Sequence, residues 1–134
     1  MTIRLFDAGG AEAFRARLNE DAEFRLKARD MALSLAIDTG AGSRLLSIRD
    51  GVLRSVHGFV PLTEPVDIVL KGSEDFWAKL LSPVPPPRFQ NLYAGVRAGT
   101  CEAIGNGELY AAYFPALTRL IDVLREIENS QASR

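Results

Sequence analysis

One cysteine, one histidine and one tryptophan are spread over 134 residues, and each scarcity removes a class of protein. A lone Cys101 closes no intrachain disulfide, so the chain is not a disulfide scaffold and suits a reducing cytoplasm. With a single imidazole and a single thiol, ligand sets at zinc-site spacing are missing, and neither a metal nor another cofactor is expected. Charge of one sign is also lacking: 16 Lys and Arg stand against 17 Asp and Glu, interspersed, for a net charge of −1. No basic block exists to neutralise a phosphate backbone, which argues against nucleic-acid binding. Nowhere do about 18 apolar residues run uninterrupted, and the opening segment from Met1 to Asp7 lacks the basic and long apolar regions of a signal peptide. Stable membrane insertion and export are not expected.

What the sequence does have is an ordinary globular balance, 47% apolar and 25% charged, in a length close to the commonest domain size. The expectation is one domain over residues 1–134, with residues 1–10 and 129–134 as frayed ends. Ala11, Phe14 and Leu18 recur at helical spacing and predict a first helix. From Met31 to Asp38 the pattern becomes strict alternation, with Met31, Leu33, Leu35 and Ile37 on one face of a strand. Leu35→Asp should therefore unfold the domain and Ser34→Asp should be tolerated. A second strand, Arg44 to Arg49, leads through Asp50-Gly51 into a third, Val52 to His57; Asp-Gly between strand-like runs signals a tight hairpin with Gly51 at positive φ. After a loop from Gly58 to Pro65, Val66, Ile68 and Leu70 alternate in a fourth strand.

Ser73, followed by Glu74 and Asp75, has the character of a helix N-cap, since its hydroxyl accepts from an orphan amide and carboxylates favour the positive helix end. The proline run Ser82 to Pro87 ends this helix in a stiff connector. Phe89, Leu92, Tyr93 and Val96 return to helical spacing before Gly99, and Thr100 to Ile104 predicts a fifth strand. A long stripe from Leu109 to Ile127 marks a terminal helix, kinked or restarted at Pro115. The fold class that results is α+β: a mainly antiparallel five-stranded sheet covered by helices.

Two segments carry a resemblance. Val66 to Trp77, a strand running into Gly72-Ser73-Glu74-Asp75-Phe76, and Gly99 to Asn106, a strand bracketed by glycines, are similar to the sterol carrier protein type 2 family of lipid-binding domains over roughly Ala11 to Arg125. The resemblance implies an apolar tunnel between sheet and helices that holds a lipid or other apolar small molecule. The chain departs from the lipid-transfer members in its triple proline, Pro85 to Pro87, and its Ala132-Ser133-Arg134 end is not the peroxisomal Ser-Lys-Leu address.

Candidate ligand-lining residues are Phe76, Trp77, Phe89, Tyr93, Tyr110, Tyr113, Phe114, Leu117 and Ile121. All have a plain alternative as core, because amphipathic helices bury aromatics in most folds. The three tyrosines add the oriented hydroxyls that an apolar pocket uses to place a head group. No catalytic residue is assigned and no enzyme activity is expected. His57 could draw on Asp50, Glu64 or Asp67, but no Ser or Cys elbow stands in the glycine context a nucleophile needs. Gly105-Asn106-Gly107 lacks the longer phosphate-loop signatures and is read as a turn. Cys101 is read as a small buried hydrophobe. The alternative to ligand binding is a non-catalytic accessory module, forming a homodimer or supporting a separately encoded enzyme as its partner.

Overall fold

Turn chemistry sets the first half of the sheet. In the computed structural model, which describes residues 3–58 and 65–130, Asp50 and Gly51 have φ of 53° and 72°. This is the doubly left-handed turn that a two-residue hairpin between twisted strands requires. It joins β2 (Ser43–Arg49) to β3 (Val52–Gly58), and β2 pairs in turn with β1 (Leu33–Asp38), both antiparallel. Leu33, Leu35 and Ile37 are fully buried on one face, as the alternation predicts. Ala36, expected on the polar face, is buried too, between its cross-strand partners Leu45 and Val69. Glu64 and most of the Gly58 to Pro65 loop lie outside the described residues.

The remaining strands, β4 (Ile68–Gly72) and β5 (Cys101–Gly105), complete a sheet of order β3-β2-β1-β4-β5. β4 pairs with β1 in parallel and with β5 antiparallel. The sheet is therefore mixed, which corrects the antiparallel expectation at its centre. The residue pattern of a strand encodes which face is buried and says nothing about the direction of its neighbour.

Among the described residues six α-helices accompany the sheet: α1 (Ala8–Glu20), α2 (Ala22–Lys27), α3 (Glu74–Leu80), α4 (Leu92–Ala98), α5 (Gly107–Ala112) and α6 (Phe114–Ser130). Three of the starts share one local cause, a side-chain cap. Ser73 Oγ accepts from the Phe76 amide at 3.0 Å, and Asn91 and Asn106 cap α4 and α5 in the same way. Pro115 falls in the first turn of α6, where its missing amide costs nothing, so the terminal stripe is two helices broken at Tyr113. Ala116, Leu117, Leu120, Ile121, Val123 and Leu124 form the buried face of α6, which lies against α1 and α2.

The N-terminal end differs from the frayed segment expected. Residues Arg4–Phe6 form a 3-10 turn, and Leu5 is fully buried in the hydrophobic cluster, so burial ties this end down. At the other end α6 continues through Ser130, and residues 131–134 lie outside the described range. Helix α2 was also not foreseen. Its cap is Asp21, which accepts from the Phe24 amide at 2.8 Å and takes a two-pronged bond from Arg119 of α6 at 2.7 and 2.9 Å.

That Arg119 guanidinium holds the Asp21 carboxyl well below the usual carboxylate range, against the opposing effect of burial. A carboxyl that titrates lower folded than unfolded stabilises fully above about pH 5, and the contribution fades as pH falls below about 4. Asp21→Ala should therefore cost about 2–3 kcal/mol at neutral pH, from the lost cap and the orphaned half-buried guanidinium. Chemical denaturation as a function of pH checks this, and the gap between variant and wild type should narrow toward pH 3.

Candidate functional site

Strand parity decides where the helix layer leaves the sheet open. Cys101, Ala103 and Gly105 pair with Gly72, Leu70 and Ile68, so their side chains belong to the helix-covered face. Cys101 is buried, yet Ala103 and Gly105 are exposed. At this edge the helices stop short, and the gap is a cleft of about 170 Å³ between α4, β5 and α5. Ile68 forms part of its lining with Ala103, Val96 closes it from α4, and Tyr110 and Gly107 from α5. A volume near 150 Å³ takes a benzene-sized group, so the cleft fits one end of an apolar molecule.

Its walls are set by glycines. Gly105 has φ of 119°, and a Cβ there would stand 2.2 Å from the carbonyl oxygen of Asp67. The adjacent amide of Asn106 donates to that same oxygen at 2.7 Å. The Gly105-Asn106-Gly107 segment is thus a strand-to-helix turn, with Asn106 committed to capping α5. Gly95 in the middle of α4 has a different reason: a Cβ there would come within 2.6 Å of the Phe76 ring. The close approach of α4 to that ring explains a residue that otherwise weakens a helix.

The nine candidate ligand-lining residues divide. Phe76, Trp77, Leu117 and Ile121 are packed in the buried cluster, and the Trp77 indole donates to the Asp38 carbonyl at 2.9 Å. Phe89 lies outside α4, half-buried, 6.1 Å from the Phe76 ring and beneath the Lys79 ammonium. Tyr113 is half-buried and donates to the Asp30 carbonyl at 3.4 Å. Tyr93, Phe114 and Tyr110 come together in a chain of edge-on rings, 6.4 and 5.4 Å between centroids. Only Tyr110 of the nine reaches the cleft. Val96, Ala103 and Ile104 carried no signal as site residues, because small or aliphatic side chains mark a cavity only once the backbone around them is known. The one available hint was the shrinking side chains along one face of β5.

The electrostatics of the cleft are those of an apolar space. Burial, with the nearby Glu102 charge, pushes the Cys101 thiol up to about 12, so it is a neutral, inert group at ordinary pH. Burial also raises the Tyr110 phenol, which stays a neutral donor. His57 lies elsewhere, exposed on β3 opposite Leu45. Of its supposed helpers, Asp67 accepts from the Ser34 amide at 2.8 Å and Asp50 faces Arg54 at the hairpin tip. Among the described residues, no group of three or more His, Cys, Asp or Glu is placed to hold a metal, and no helix is long and apolar enough to cross a membrane.

This architecture is the sterol carrier protein 2 fold. A crystal structure of sterol carrier protein 2 superposes with a TM-score of 0.74 at 23% identity, covering 91% of this chain and 98% of that one. The ubiquinone synthesis protein UbiJ-SCP2 follows at 0.60 and 19%, covering 90% and 91%. A double mutant of the sec-alkyl sulfatase PisA1 matches at 0.55 and 20% over 85% of this chain, but only 16% of that much longer one. No protein-family model matches the sequence, and no curated protein matches it significantly.

Proposed function

We propose that this chain binds a lipid or another apolar small molecule, entering at the cleft between α4, β5 and α5. The observation that carries the reading is the uncovered helix-side face of β5 at Ala103, walled by Val96, Ile68 and Tyr110 and free of any ionised group. Burying hydrocarbon there supplies roughly 25 cal/mol per Å² before association costs. The likeness in fold to a protein named sterol carrier protein 2 supports it. Tyr110 would stand at the mouth with Phe114 and Tyr93 in a row behind it, and the packed residues Phe76, Trp77, Leu117 and Ile121 would be the wall that a longer ligand has to displace.

Micromolar affinity, about −8 kcal/mol, suits a carrier that must release its cargo. A fluorescent fatty acyl probe should bind saturably in vesicle-free buffer and take energy from Trp77. Ala103→Trp fills the cleft from an exposed position, so binding should weaken at least about tenfold while stability stays within about 0.5 kcal/mol. Unchanged binding in that variant would move the ligand elsewhere.

A second reading, an accessory module without a ligand, draws on the sulfatase match, in which this fold is one part of a longer chain. Its surface would be the outer edge of the other sheet face at Val69 and Ile104, where Ile104 is 46% exposed, since Ala36 and Leu45 farther along the same row are buried. Native mass spectrometry separates the two: a co-purified lipid on a monomer supports the first, and a ligand-free dimer the second.

A further inference from the structure

Arg88 occupies a backbone position that an arginine rarely takes. The Phe89 amide donates to the Pro86 carbonyl at 3.0 Å, closing a tight turn with Pro87 and Arg88 at its centre. Proline fixes a negative φ at the first central position, and Arg88 has φ of 74° at the second. The turn is therefore type II, which strongly favours glycine at the site Arg88 fills. A strained non-glycine residue held at the surface points to use of its side chain.

What surrounds it is basic and partly apolar. Arg88, Gln90, Tyr93, Ala94, Arg97 and Ala98 line an open groove of about 450 Å³ along the outer side of α4. Arg97 reaches the Tyr93 hydroxyl at 3.5 Å, and Tyr93 is 56% exposed. Between Asp75 and Glu102 the sequence has no acidic residue and carries Lys79, Arg88 and Arg97. The carboxylate of Asp75 is held by Lys79 at 2.9 Å, and that of Asp122 by Arg125 at 3.3 Å. On the same connector Val84 is 85% exposed, ahead of the stiff run Pro85 to Pro87.

We propose that this groove and the proline connector are a docking surface for an anionic membrane. Guanidinium groups pair with lipid phosphates in two-pronged fashion, a tyrosine sits well at the headgroup level, and an exposed valine on a rigid segment reaches the acyl boundary. The purpose of docking, loading and release of cargo, rests on the reading of the chain as a carrier; the geometry of the surface does not. Tyr93 joins the two, since its ring faces Phe114, which faces Tyr110 at the cleft.

Sedimentation of the full chain with vesicles tests this. Vesicles of equal parts phosphatidylcholine and phosphatidylglycerol should bind at least about tenfold more tightly than pure phosphatidylcholine, and added salt should weaken the binding. Charge reversal by R88E with R97E should lower it by about tenfold or more. R88G separates folding from docking: relief of the turn should raise the Tm by about 2–4 °C while binding falls severalfold. Equal binding to neutral and anionic vesicles, or full binding by the double variant, would overturn the proposal. A lower Tm in R88G would remove the strain it rests on, and displacement by millimolar inorganic phosphate would assign the groove to a soluble anion. The acyl-probe titration in vesicle-free buffer reports separately on the carrier, so failure of one leaves the other standing.

Discussion

Leu35→Asp should leave the chain unfolded at room temperature. Leu35 is fully buried at the centre of the helix-covered face, flanked by Leu46 across the antiparallel pair and Ile68 across the parallel one. The substitution removes a buried leucine and puts a carboxylate where no cation can reach it. Together these cost more than about 5 kcal/mol, the lower end of what a domain has in total. The comparison variant should sit on the opposite face. Ser34 is a poor choice after all, because its amide is held by the Asp67 carboxylate and a second charge there would repel it. Ser47, between Ser34 and Ser55, is better, and Ser47→Asp should cost less than about 1 kcal/mol. Circular dichroism of the two variants checks the register, and equal losses would contradict it.

Gly105→Val should have the second largest effect and should act on stability and binding together. Valine strongly resists a φ of 119°, and its Cβ would overlap the Asp67 carbonyl, a backbone group that no side-chain rotation moves aside. Relief requires parting β5 from β4 at the Ile68 pair and losing the bond from Asn106 to Asp67. The cost should be about 3–5 kcal/mol. Because α5 begins two residues later, Tyr110 would shift with it, and acyl-probe binding should disappear. Gly107→Ala is the control for the fold, since a Cβ there meets nothing within 4 Å and stability should be unchanged. Thermal denaturation with and without probe reads both effects, and a Gly105→Val protein as stable as Gly107→Ala would refute the turn geometry.

Local features were legible in the sequence where a single side chain or dipeptide determines the backbone. The Asp50-Gly51 turn, the Ser73 cap, the alternation of β1 and the break near Pro115 all depend on residues within a few positions of one another. Contacts that join distant segments were not legible. Asp21 reads as an unremarkable acid until Arg119, 98 residues away, is brought to it. The parallel pairing of β4 with β1 and the burial of Leu5 likewise depend on where the chain returns. The site shows the same division. Aromatic periodicity brought out Tyr110 and its neighbours Tyr93 and Phe114, but it weighted equally Trp77, whose ring is buried and hydrogen-bonded. The cleft itself is made by what is small or absent, Ala103 and the glycines, and a gap has no residue pattern of its own.

The measurement that tests the ligand reading most directly is a titration of the isotopically labelled chain with a soluble fatty acid, followed by backbone amide shifts. The proposed binding mode predicts saturable shifts at Val96, Ala103, Gly107 and Tyr110, spreading to Phe114 and absent from Ser47 and His57 on the open face. Saturation with no change around Ala103, or no saturable shift anywhere, would contradict it.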